Sequence, residues 1–270
     1  MEISIVYMAS GLSSRFGGKA KQLAKVGPNG ETLLEYSATQ AINAGFNKII
    51  LVVGEKTEQA LKEIFKDNYK GVIVEYAKQE LYPEKRDGPW GTADAACTPK
   101  HLINGPFVVC NGDDIYGENT LRTLVEHAKQ STEPATIGYT MHQALPDKGP
   151  GNRAIYQMKG DYLQKLNEVY NIEKTNLEAS NLTPEHLCSM NIFLLNSIAL
   201  DHLSKQLVEF KEQHKDERKK ECVLPNEISK MLEQEKIKMK VYPAIDQWIG
   251  LTYPEDEVVV KEFLRQKHAL

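Results

Sequence analysis

Apolar residues along this chain fall into two alternating patterns. Short continuous runs read as strands, and longer stretches with helical spacing separate them. The run around Ile5 and Val6 is the first strand. Residues 31–44 follow with Leu33, Leu34, Ala38, Ala41 and Ile42 at helical spacing, and Gly45 stands where that helix should stop. Residues 48–53, Lys-Ile-Ile-Leu-Val-Val, are apolar almost without interruption, the mark of a strand covered on both faces. The alternation continues with a helix at 57–65, a strand at 72–76, a helix at 90–101, a strand at 106–110, a helix at 121–129 and a strand at 135–141. This order predicts an α/β fold: a Rossmann-like, open, mostly parallel sheet with helices on both faces. Ligands of such sheets sit beyond the carboxyl ends of the strands. The loops after Met8, Tyr76 and Cys110 are therefore expected to meet in one crevice.

The second half changes character. Residues 152–158 and 161–168 flank Lys159-Gly160 and read as a hairpin. Residues 173–184 are polar and read as a loop, 188–195 as a strand and 198–208 as an amphipathic helix. The mixed-charge stretch 211–221 reads as a solvated face or loop. A short helix at 224–232, a strand at 238–242 and a closing helix at 254–267 complete the pattern. No repeat or linker breaks the chain. The expectation is one domain over residues 1–270 with a lobe inserted on the sheet, the two halves meeting near about residue 145.

Composition narrows the classes. The chain has 270 residues, 41% hydrophobic and 26% charged, with a formal charge of −4. That balance lends no support to general nucleic-acid binding. No apolar run approaches membrane-spanning length, and the N-terminus lacks the charged and apolar regions of a signal peptide, so a cytoplasmic protein is expected. Cys97, Cys110, Cys188 and Cys222 are widely spaced and read as reduced thiols. The seven histidines show no metal-ligand spacing.

Chemistry first appears after the opening strand. Ala9-Ser10-Gly11-Leu12-Ser13-Ser14-Arg15 is a small-residue loop, and Lys21 follows. Glycines and small residues let backbone N–H groups approach an anion, and the cations neutralise it. The loop is not a Walker A sequence, because Ser13 and Ala20 stand where glycine and a hydroxyl residue are needed. Gly11-Leu12-Ser13 likewise breaks the dinucleotide fingerprint. ATPase and dehydrogenase readings fall. Arg15 and Lys21 remain either phosphate ligands or ordinary surface cations.

This loop resembles the signature of the sugar-phosphate nucleotidylyltransferases, the enzymes that make nucleoside-diphosphate sugars. Val26 to Thr32 is similar to a bacterial subgroup close to the glucose-1-phosphate uridylyl- and thymidylyltransferases. Other segments resemble the family in order: Gln79 after the third strand, Gly91-Thr92-Ala93-Asp94-Ala95 at a helix start, Asn111-Gly112-Asp113-Asp114, the strand ending at Glu168, Ser189-Met190-Asn191, and Trp248 to Asp256. The resemblance implies a nucleotide-diphospho-sugar transferase fold. It implies a nucleotide site made by Ala9, Ser10, Gly11, Leu12, Ser13, Ser14, Gln79, Gly91 and Thr92, with Arg15 and Lys21 catalytic. Arg153, Glu168 and Asn191 would contact the acceptor, and Asp113 would bind Mg²⁺. Plainer roles stand beside these: a turn or cap for Asp113 and Asp114, packing for Trp90, and simple polar positions for Gln79, Glu168 and Asn191.

Two positions depart from the family pattern. Val169-Tyr170 stands where a lysine for the sugar phosphate usually follows the glutamate, leaving Arg153 or Lys174 to supply that charge. Gly250 stands where many relatives carry a second metal aspartate, and Asp246 is the nearby substitute. The implied reaction is attack of an acceptor phosphate on the α-phosphorus of a nucleoside triphosphate, with a pyrimidine base and a sugar 1-phosphate acceptor expected. Transfer to a non-sugar phosphate such as phosphocholine is the alternative within the same chemistry. A catalytically inactive nucleotide-binding regulator is the alternative outside it.

Overall fold

The computed structural model describes residues 1–11, 20–80, 86–146, 149–251 and 254–268. Leu12, Ser13, Ser14 and Arg15, expected at the phosphate loop, lie outside the described residues. In the first half the chain forms β1 (Ser4–Met8), α1 (Leu33–Ala44), β2 (Lys48–Val53), α2 (Glu58–Phe65), β3 (Asn68–Tyr69), β4 (Val72–Lys78), α3 (Thr92–Cys97), β5 (Phe107–Asn111), β6 (Asp114–Ile115), α4 (Glu118–Gln130) and β7 (Ala135–Thr140). It continues through α5 (Met141–Ala144), β8 (Gly151–Lys159), β9 (Tyr162–Ile172), β10 (Leu187–Cys188), β11 (Phe193–Leu195), α6 (Ser197–Gln213), α7 (Leu224–Glu233), β12 (Met239–Pro243), β13 (Ile249–Gly250) and α8 (Asp256–His268).

The main sheet runs β10-β8-β9-β12-β7-β11-β5-β1-β2-β4-β3. Its centre is parallel, with β1 between β2 and β5 and with β4 on the far side of β2. This is the expected open sheet, and it aims the ends of β1, β2, β4 and β5 the same way. Successive strand residues go to opposite faces. Ile5, Tyr7, Ile49, Leu51 and Val53 join α1, α2 and α4 in one core. Val6, Ile50 and Val52 join α3, α6 and α7 in another.

The lobe is built from the hairpin β8–β9. β9 pairs with β12, β12 with β7, β7 with β10 and β10 with β8, which closes a small ring of strands. The ring fastens the lobe to the parallel sheet.

Local signals explain most boundaries. Thr32 and Glu35 form a reciprocal capping box at the start of α1, and Gly45 ends it at φ +111°. The expected helix at 90–101 is shorter: α3 stops before Pro99, which has no N–H to continue it, and a 3₁₀ turn follows at Lys100–Leu102. The expected strand at 188–195 is split. Asn191 takes φ +55°, its N–H donates to Ser189 Oγ, and Tyr116 Oη donates to the Met190 carbonyl. Those contacts bow residues 189–192 out between β10 and β11.

Candidate active site

The loop after β1 and the loop after β5 cross closely. Gly112 N donates to the Met8 carbonyl at 3.0 Å, and a side chain at Gly112 would stand 2.9 Å from the Ala9 Cβ. Gly54, after β2, is equally tight against the Ser10 carbonyl. Ala9 is buried, and Gln22 donates through Nε2 to the carbonyls of Ala9 and Gly11. Gln22 thus draws the returning chain against the end of β1, a role not identified from the sequence. Across the crevice, Lys21 Nζ stands 3.8 Å from Asp113 Oδ2. The Lys21 side chain is 12% exposed and that of Asp113 38%. Partial burial pushes the Asp113 carboxyl up, and the Lys21 ammonium opposes that shift.

A polar network forms the adjoining wall. Gln79 is buried; Ser10 Oγ donates to its Oε1 at 2.5 Å, and its Nε2 donates to Asp94 Oδ2 at 2.7 Å and to the Gly91 carbonyl at 3.2 Å. Asp94 also accepts from Lys211 at 2.5 Å. Lys211 therefore belongs to this wall, which corrects its reading as solvated charge, while residues 212, 213 and 215–221 are exposed as expected. Asp94 lies one helical turn past Gly91, a spacing visible in the sequence; Lys211 comes from α6 with no local signal. Gly91 sits at φ +94°, and a Cβ there would lie 2.6 Å from the Cys222 carbonyl oxygen. Thr92 Oγ1 accepts from Leu224 N, so its hydroxyl ties α3 to α7.

The remaining aspartates divide by environment. Asp114 is buried, accepts from Asn111 Nδ2 at 2.8 Å and from Tyr116 Oη at 3.3 Å, and pairs through its backbone with Gly250. Burial, then the charge of Asp113, push its carboxyl up to about 7. The Trp248 indole N–H favours the charged form from nearby, yet makes no hydrogen bond of ordinary geometry. Position 250 has no room for a side chain: a Cβ would stand 2.4 Å from the Trp248 ring and 2.7 Å from Asp114 Oδ1.

Asp246 is engaged elsewhere. Its Oδ2 accepts from Thr120 N at 2.9 Å, its Oδ1 accepts from Asn119 Nδ2 at 3.1 Å, and its own N–H donates to Thr120 Oγ1. Gly117, the residue before α4, has no side chain to cap that helix, and Asp246 fills the place. With both oxygens used on a helix N-terminus, this geometry does not support the expected metal ligand.

On the lobe, Arg153 and Glu168 are close enough to interact. Burial raises the Glu168 carboxyl and the Arg153 charge opposes it. Arg153 donates to the carbonyls of Ala144 and Asn152, and its guanidinium lies 5.7 Å from the Trp248 ring centroid. Asn191 lies in the bowed segment that Tyr116 holds.

Among the described residues, no group of three or more His, Cys, Asp or Glu side chains could hold a metal ion. Asp113 offers one hard, partly exposed oxygen donor. That fits a magnesium ion carried mainly by phosphate oxygens, not one caged by protein. A cavity of about 660 Å³ opens at the opposite end of β5, near Pro106 and Asn196, and holds none of these residues.

A nucleotidyl transferase family model matches residues 12–249. The uridylyltransferase AglF of Haloferax volcanii, named as acting on UTP and glucose 1-phosphate, is 29% identical over 136 residues, 49% of this chain and 51% of that protein. The bifunctional protein GlmU of Staphylococcus haemolyticus is 28% identical over 142 residues, 51% of this chain and 28% of that protein. The matched stretches thus span about half or less of these relatives. Among solved structures, the inositol-1-phosphate CTP transferase of T. maritima superposes with a TM-score of 0.69 at 15% identity, covering 100% of this chain and 98% of that one. The UTP-bound UGPase of Acinetobacter baumannii gives 0.67 at 17% identity, covering 100% and 98%. At such identities these structures establish the fold.

Proposed function

The chain belongs to the nucleotidyl transferase family, and from that premise we propose that it transfers a nucleoside monophosphate from a pyrimidine nucleoside triphosphate to a sugar 1-phosphate. The observation that carries this reading is the approach of Lys21 to Asp113 at 3.8 Å, beyond the ends of β1 and β5. A cation and a carboxylate at that point suit a polyphosphate and its counter-ion.

An oxygen of the acceptor phosphate forms a bond to the α-phosphorus, and the bond from that phosphorus to the bridging oxygen of pyrophosphate breaks. A phosphate monoester is already nucleophilic near neutral pH, so no general base is required. The obstacle is repulsion between two anions, and the protein answers it by positioning and by charge. Lys21 draws negative charge toward the departing pyrophosphate; Arg15 is given the same role on sequence alone. The backbone at Ser10 and Gly11 lines the phosphate side. Gln79 and Gly91 face the base, and Thr92 holds α3 in place for them. Magnesium would supply charge neutralisation when bound, and Asp113 is the carboxylate that would hold it. Glu168, Asn191 and Arg153 form the acceptor side, and the name of the matched uridylyltransferase AglF supports a sugar phosphate there.

A second reading rests on one observation. Val169 and Tyr170 supply no cation after Glu168, and Arg153 spends hydrogen bonds on backbone carbonyls. Transfer to a non-sugar phosphate follows if the acceptor is held differently. Pyrophosphate release is to be measured with Mg²⁺, UTP, dTTP and CTP, each against a panel of sugar 1-phosphates and non-sugar phosphates. Release with a sugar 1-phosphate is expected. Release only with a non-sugar phosphate would move the assignment to the second reading, and none with any pair would overturn both.

A further inference from the structure

Residues 214–222 leave the end of α6 and pass beneath the wall formed by Gly91. Arg86 holds this strap. Its side chain is 6% exposed and its guanidinium lies 3.5 Å from the Trp90 ring centroid. Nη1 donates to the Glu217 carbonyl at 2.9 Å, Nη2 to the Lys220 carbonyl at 2.5 Å, and Nε to the Gly88 carbonyl at 3.2 Å. Asp87 adds a second fastening, its N–H donating to the Arg218 carbonyl and its carboxylate pairing with the Arg218 guanidinium. The strap then grips the wall. Cys222 N donates to the Trp90 carbonyl at 2.7 Å and Ala93 N to the Cys222 carbonyl at 3.0 Å. The absence of a side chain at Gly91 lets Cys222 come this close.

We infer that Arg86 is a positioning residue for the nucleotide: it clamps the strap, and the strap fixes the Gly91 backbone and, through it, the amide of Gln79. The inference rests on the reading that Gln79 and Gly91 face the base. Burying a cation is costly unless its donors are met, and a planar fork suits carbonyls that arrive from separate turns of chain. A lysine offers a single ammonium on a flexible stem and cannot span Gly88, Glu217 and Lys220 together. The bonds of Arg86 and Asp87 go to Gly88, Glu217, Arg218 and Lys220, and not to Lys21, Asp113 or the lobe strands. Its loss is therefore expected in nucleotide affinity, with the turnover at saturating nucleotide and the acceptor KM largely retained.

The experiment compares the full chain with Arg86→Lys, Arg86→Ala and Trp90→Phe, and with Lys219→Ala as an exposed control on the strap. UTP, dTTP and CTP binding is measured by calorimetry, and steady-state kinetics give the split between KM and kcat. Limited trypsin digestion, read by mass spectrometry, follows cleavage after Arg218, Lys219 and Lys220. Both Arg86 variants are expected to bind nucleotide about tenfold or more weakly and to expose the strap to trypsin. Trp90→Phe should do so to a smaller degree, and it carries the test if Arg86→Ala does not fold. A released strap with unchanged nucleotide affinity would overturn the positioning role, as would rescue by lysine. A strap still protected in every Arg86 variant would overturn the clasp itself. Absence of nucleotide binding by the unaltered chain would instead overturn the functional reading, while the digestion still reports on the clasp.

Discussion

Lys21 Nζ, from the 3₁₀ turn Lys21–Leu23, and Asp113 Oδ2, just past β5, face each other at 3.8 Å. Neither is held there by a strong mutual bond, and each has surface to offer a ligand. Lys21→Met and Asp113→Asn are expected to lower pyrophosphate release by about a hundredfold or more, as loss of a charge-stabilising group does. Folding should survive. Burial disfavours the Asp113 charge, so Asp113→Asn should melt at or above the temperature of the unaltered chain. Activity within about twofold of normal in Asp113→Asn would remove this residue from the site.

Gly91 admits a sharper test. Its φ of +94° and the Cys222 carbonyl beside it both oppose a side chain. Gly91→Ala is expected to cost about 1–3 kcal/mol in urea unfolding and to weaken nucleotide binding more than acceptor binding. Equal stability of the two proteins would show that the strap yields freely at this point.

Much of this arrangement was legible in the chain. Continuous apolar runs placed β1, β2 and β5, and the helical spacing over 31–44 with Gly45 after it placed α1, whereas the Thr32–Glu35 capping box emerged only in the fold. The small-residue loop, the Gly91-Thr92-Ala93 helix start and Asp113 carried the family resemblance, and the family match runs over residues 12–249. What could not be read depends on partners far apart in sequence. The split of residues 188–195 is set by Tyr116, 74 positions from the carbonyl it binds. Lys211 reaches Asp94 across 117 positions, and Arg86 reaches the strap across more than 130. Charge patterns do not reveal such pairs, because an unpaired lysine and a docked one look alike in sequence.

Asp246 is bonded as the cap of α4, and that role can be tested against one at the metal. As the cap of α4 it should contribute about 1 kcal/mol, so Asp246→Ala is expected to lower stability by that order. The Mg²⁺ concentration giving half-maximal activity should stay the same, since the cap lies on Thr120 and Asn119. A many-fold rise in that concentration would return Asp246 to the metal site.

Asp114 sets a pH dependence with a definite sign. Its carboxyl is pushed up to about 7 in the folded chain, by burial first and by the Asp113 charge second. An unfolded aspartate titrates near about 3.9, so the folded state binds the proton more tightly than the unfolded state between these values. The stabilisation is complete below the unfolded value and is lost as pH rises through about 7. In metal-free protein kept with EDTA, this group should therefore make stability fall from pH 4 toward pH 8, on the order of a few kcal/mol at most. Asp114→Asn keeps an oxygen to accept from Asn111 and Tyr116 but carries no charge. Its melting temperature, compared with that of the unaltered chain, should gain steadily across the same range and level off above it. A difference that stays constant from pH 4 to pH 8 would mean that Asp114 ionises in the folded protein as freely as in the unfolded one.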